Sequence, residues 1–143
     1  MNLKKWLVAS LVAFIVFSVM EWILHGSILA SAYQANAKYF LPQATISERM
    51  WAIYLGYLIY AGMFTLIYSK GYEAKPGLGE GLRFGLYIGF FTAIPRFIID
   101  FAVSPIPAAI AVPWLIAGIV ESIILGLVVG ALYKKVPSQP VAA

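Results

Sequence analysis

Four long apolar stretches, separated by short polar punctuation, set the pattern of this chain. The first covers residues 6–32 behind Lys4 and Lys5, and the second covers residues 50–68 and stops at Lys70. The third covers residues 82–103, and the fourth covers residues 108–133 and stops at Lys134 and Lys135. Each is near or above the roughly 20 residues that cross about 30 Å of hydrocarbon as a helix. Helix is predicted for all of them, because lipid satisfies no free backbone N–H or C=O group. The expected fold is all-α: a polytopic membrane protein with four transmembrane helices as two hairpins, forming a single domain over residues 1–143.

The connections differ in character. Residues 33–49 form a long loop, in which Thr45-Ile46-Ser47-Glu48 has the spacing of a capping box that would open the second span. The next connection holds Pro76, Gly77, Gly79 and Gly81 and reads as turn-rich. Gly77-Leu78-Gly79-Glu80-Gly81-Leu82 resembles part of a phosphate loop, but no strand precedes it and no Gly-Lys-Ser/Thr follows, so nucleotide binding is not expected. Ser104-Pro105-Ile106-Pro107 closes the second hairpin, and the tail from Val136 is expected to be disordered. Lys4-Lys5, the apolar run and Ala30-Ser31-Ala32 together mimic a secretory signal. The run is longer than the usual 7–15 residues and contains Glu21 and His25, so it is read as a retained span.

Basic residues give an orientation. Lys4, Lys5, Lys70, Lys75, Lys134 and Lys135 fall on one side, with Arg83 just inside the third span, against Lys38 and Arg49 on the other. The positive-inside rule then puts both termini in the cytoplasm, in a bacterial inner membrane. Trp6, Tyr33, Tyr39, Trp51, Tyr68, Trp114 and Tyr133 sit near span ends, as an aromatic belt requires.

Composition narrows the classes. The chain is 62% apolar and 11% charged, where soluble domains are roughly half apolar and a quarter charged. Its formal net charge of +4 lies at segment ends, so it reads as a topology signal and not as a nucleic-acid surface. With no cysteine and one histidine, thiolate catalysis, disulfides and multi-histidine metal sites are absent from the repertoire.

Glycines suggest how the helices pack. Gly77, Gly81, Gly85 and Gly89 recur every fourth residue into the third span, and Gly118, Ser122, Gly126 and Gly130 do so along the fourth. Small residues at this spacing let membrane helices approach closely. The third and fourth helices are therefore expected to be close antiparallel neighbours, unless one strip serves a homodimer instead.

Candidate chemistry lies in five ionisable residues inside the spans: Glu21, His25, Arg96, Asp100 and Glu121. Glu21 and His25 are four apart, as are Arg96 and Asp100, so each pair shares a helix face. Pro95, next to Arg96, is expected to free a backbone carbonyl beside them. One charge at a helix centre costs about 2.5–3.5 kcal/mol on insertion scales, so five isolated charges would cost on the order of 10 kcal/mol. Clustering relieves this. Three carboxyl groups against one guanidinium and one imidazole form an unbalanced set, expected to hold a proton and to titrate as a unit.

The leading expectation is binding or proton-coupled transport of a small polar ligand or ion at this cluster. The alternatives are an accessory or assembly subunit of a larger membrane complex, and a membrane-embedded enzyme with Glu21 and His25 as acid and base. The enzyme lacks a nucleophile or metal set, so no residue is assigned a catalytic role. The partners expected are the lipid bilayer and either further copies of the chain or a larger membrane complex, with no nucleic acid. A haem or chlorin ligated by His25 is a weaker possibility, because a lone membrane histidine is more commonly hydrogen-bonded than ligating.

Glu21-Trp22-Ile23-Leu24-His25-Gly26-Ser27-Ile28-Leu29 with Tyr33, Gly56-Tyr57, and Gly79-Glu80-Gly81-Leu82-Arg83-Phe84-Gly85 form a further pattern. It resembles that of a family of small four-helix bacterial integral membrane proteins with no established activity. The resemblance implies four helices and a bacterial membrane, and carries over no site.

Overall fold

A computed structural model describes residues 2–73 and 77–133. Lys75, Pro76, Lys134, Lys135 and the tail from Val136 lie outside the described residues. The chain runs through α1 (Leu3–Ile23), a π-helical turn (Leu24–Ile28) and α2 (Ala30–Ala35). A single 3-10 turn (Ala37–Tyr39) leads to α3 (Gln43–Glu48), followed by α4 (Met50–Gly71), α5 (Gly77–Val103) and α6 (Ala108–Leu132). Among the described residues, four segments are long and apolar enough to cross a membrane: Leu3–Ile28, Met50–Gly71, Gly77–Val103 and Ala108–Leu132. The fold is an all-α polytopic membrane protein built from two hairpins.

Small residues bring the helices together. In the α5–α6 hairpin, a methyl group added to Gly81 would collide with the carbonyl oxygen of Gly126, and one added to Gly130 would collide with that of Gly77. Gly85 abuts the Ser122 backbone and Gly89 abuts Ile119. The two strips thus face each other, as their spacing predicts, and all of their residues but Gly118 are buried within the molecule. In the α1–α4 pair, Ala9 and Ala13 are buried, as is Ala61 opposite. Ser10 and Thr65 meet at 2.6 Å, and the Trp6 indole donates to the Gly62 carbonyl at 3.1 Å. Because Thr65 Oγ1 donates to the Ala61 carbonyl, Ser10 is the donor between them. Contacts of α1 with α6, and of Phe84 with Phe64 and Tyr68 at 5.0 and 5.1 Å between ring centroids, join the hairpins.

The large apolar side chains point the other way. Leu7, Leu11, Ile15, Trp51, Leu55, Phe91 and Phe101 are all exposed on the outside of the bundle, where a membrane protein meets lipid.

Several local expectations change. The first span is not a continuous helix over residues 6–32. It widens into the π turn, breaks at Leu29 (φ −96°, ψ 0°) and restarts as α2. The loop 33–49 is folded into short helical pieces. No capping box opens α4, since Thr45 to Glu48 are themselves helical, Ser47 bonds back to the Gln43 carbonyl, and Arg49 caps α4 without a side-chain bond. Gly77, Gly79 and Gly81 are not a turn but the start of α5, where close packing on α6 offsets their poor helix propensity. Pro95 lies inside α5 without ending it.

Candidate functional site

The site is built where α1 gives way to the π turn. Glu21 stands in the last turn of α1 and His25 in the π turn, with His25 Nε2 3.0 Å from Glu21 Oε2. The π turn closes with Leu29 N–H donating to the Leu24 carbonyl, five residues back. Such turns occur mostly as single insertions in α-helices, often at functional sites. Here it ends at the Leu29 break, and α2 then brings Tyr33 back over His25. The two rings stack at 5.7 Å with 8° between their planes, and the Tyr33 hydroxyl meets His25 Nδ1.

A hydrogen-bonded chain follows from what each group can donate. The Trp114 indole, from α6, donates to the Tyr33 hydroxyl at 2.8 Å. Indole N–H is only a donor, so the Tyr33 oxygen accepts and its own proton is free for His25 Nδ1. A neutral imidazole accepting at Nδ1 carries its proton on Nε2, facing Glu21. Glu21 Oε2 also accepts from the Tyr57 hydroxyl of α4 at 2.9 Å. Burial raises the Tyr33 phenol above its ordinary range; the Trp114 N–H opposes this and the nearby Glu21 charge adds to it. Tyr33 therefore keeps the proton it donates.

Glu121, on α6, is 7% exposed and lines the same cleft as Glu21. Two carboxylates facing one cleft repel each other, and a proton on either relieves that repulsion. Glu21 thus gathers His25 from the π turn and Tyr57 from α4, and shares its cleft with Glu121 of α6. Beside it, the Tyr60 hydroxyl stands 3.0 Å from Ser122 Oγ, which itself donates to the Gly118 carbonyl.

Arg96 and Asp100 stand apart from this group. Arg96 Nε bonds Asp100 Oδ2 at 2.5 Å, one turn along α5, with side chains 74% and 21% exposed. The five predicted residues therefore form two groups rather than one bonded cluster. Both face one cleft of about 600 Å³, lined by Glu21, Arg96, Asp100 and Glu121 together with Phe17, Tyr60, Phe97 and Trp114. His25 stands behind Glu21 and is held by Tyr33. Both of its ring nitrogens are engaged, so a haem or chlorin would have to displace Tyr33 or Glu21 to reach it.

Sequence reasoning gave Tyr33 and Trp114 a place in the aromatic belt and assigned no site role to them, to Tyr57 or to Tyr60. The Tyr33 contact has no helical signature. Eight residues along a regular helix is about 12 Å of rise, and only the break at Leu29 brings the ring back.

Compared with protein-family models, with curated proteins and with solved structures, the chain matches none. The resemblance read from residues 21–33, 56–57 and 79–85 finds no counterpart in these comparisons.

Proposed function

We propose that the protein binds a small ligand in the cleft between α1, α4, α5 and α6 and couples its binding or passage to a proton held between Glu21 and Glu121. The observation that carries this reading is the carboxyl pair on the wall of the cleft. Ionisable residues in membrane helices are costly and mark proton relays and substrate pathways. Here they come with a cleft in the size range of small-molecule sites, about 300–1,000 Å³, and with a hydrogen-bonded chain from Glu21 through His25 to Tyr33 and Trp114. In the topology of the positive-inside rule, that chain runs towards the outer surface of a bacterial inner membrane and the termini are cytoplasmic.

Proteoliposomes under an imposed pH gradient test this. Wild-type protein should move protons or a co-ligand in a pH-dependent manner, and Glu121→Gln should insert normally and lose that dependence. Unchanged flux in Glu121→Gln would sink the proposal.

A second reading, a subunit of an oligomer or of a larger membrane complex, draws support from Arg96. A guanidinium 74% exposed on a transmembrane helix is poorly solvated by lipid, and another chain over α5 would cover it. Native mass spectrometry from gentle detergent decides between a lone chain and a stoichiometric assembly.

A further inference from the structure

We infer that the ligand taken by the cleft is a monovalent organic cation, bound in exchange for the shared carboxyl proton. The inference rests on the ligand-site reading above and names the class of ligand. Charge is the first argument. Arg96 is already paired with Asp100, so these two cancel. Glu21 and Glu121 both line the cleft, and with the one proton proposed above they leave a single negative charge on its wall. An anion would have to take Arg96 away from Asp100 and approach that charge, whereas a cation meets it directly.

The walls are the second argument. Phe17, Tyr60, Phe97 and Trp114 line the same space as the two glutamates. Aromatic faces attract organic cations, most strongly where water is excluded. A cleft of about 600 Å³ is also far larger than a bare metal ion needs and suits a molecule of several carbons.

The proton donors around the pair are the third argument. Glu21 accepts from Tyr57 and faces His25 Nε2, which suits it to be the anion. Glu121 receives neither bond and serves as the acid. On binding, the O–H of Glu121 releases its proton to solvent and the resulting carboxylate joins Glu21 around the cation. The titratable and charged groups facing Glu121 are Glu21 and, behind it, His25 and Tyr33 from the first hairpin arm, Tyr57 and Tyr60 from α4, and Arg96 with Asp100 across the cleft from α5.

The test is calorimetric titration of the purified full-length protein with tetraethylammonium and, separately, with benzoate, while proton release is followed in weakly buffered detergent. Tetraethylammonium should bind and release a proton. Glu121→Gln should bind it without proton release or pH dependence, and Glu21→Gln should bind it roughly tenfold more weakly or not at all. Phe97→Leu, which keeps apolar bulk but removes the ring, should weaken binding several-fold. Circular dichroism and gel filtration establish that each variant is folded. Cation binding by the wild type without proton release overturns the exchange. Binding of benzoate but not tetraethylammonium overturns the cation assignment and leaves the ligand site standing. Binding of neither ion overturns both.

Discussion

Glu21 on α1 and Glu121 on α6, 100 positions apart along the chain by their numbering, line the wall of one cleft. One glutamate comes from each hairpin. Each group alone would be costly in a membrane. The Tyr57 hydroxyl and His25 Nε2 meet Glu21, and the proposed shared proton would satisfy the pair.

Tyr57→Phe removes a donor to Glu21 while keeping the ring. The expected loss is roughly 0.5–2 kcal/mol, between the membrane average for interhelical hydrogen bonds and the value for bonds to charged groups. Unfolding in mixed micelles measures it. No loss would mean that Glu21 finds an equivalent donor elsewhere.

Gly81→Ala forces a methyl group into the carbonyl oxygen of Gly126, where backbone and not a movable side chain stands in the way. The expected destabilisation is roughly 1–3 kcal/mol, the usual cost of overpacking. Gly56→Ala is the control. Its methyl group meets nothing within 4 Å and should stabilise α4 by up to about 1 kcal/mol through helix propensity. Thermal denaturation of both variants in detergent checks the contrast.

Tyr33→Phe leaves the Trp114 N–H and His25 Nδ1 without their shared partner, at an expected cost of roughly 1–3 kcal/mol. The pH dependence has a definite sign. The Tyr33 phenol in the folded protein is raised above its ordinary 10.0, so its contribution is fully present below pH 10. It is lost as pH rises through the folded value. The stability gap between wild type and Tyr33→Phe should hold constant up to about pH 10 and narrow from there towards the folded value, as read from unfolding curves at stepped pH.

What the sequence made legible was whatever a single helix repeats. The spacing of Gly77 to Gly89 and of Gly118 to Gly130 revealed the α5–α6 contact, since a strip of small residues every four positions has few other uses in a membrane. The Glu21–His25 and Arg96–Asp100 pairs were legible for the same reason. Contacts between helices were not. Nothing in the spacing separates Arg96–Asp100 from the glutamate pair, because that depends on how far α5 stands from α1. Tyr33 escaped because the π turn and the Leu29 break have no sequence period. The 33–49 loop was read as open because its helical pieces are too short for apolar periodicity to show.

The shared proton is the centre of the account, and infrared difference spectroscopy of the carboxyl region measures it directly. Wild-type protein near neutral pH should show the C=O stretch of a protonated carboxylic acid in a site sheltered from water. Glu121→Gln should lose that band while keeping its helical content. A wild-type spectrum with no protonated carboxyl band, or a band that persists in Glu121→Gln, would contradict the assignment of the proton to the Glu21–Glu121 pair.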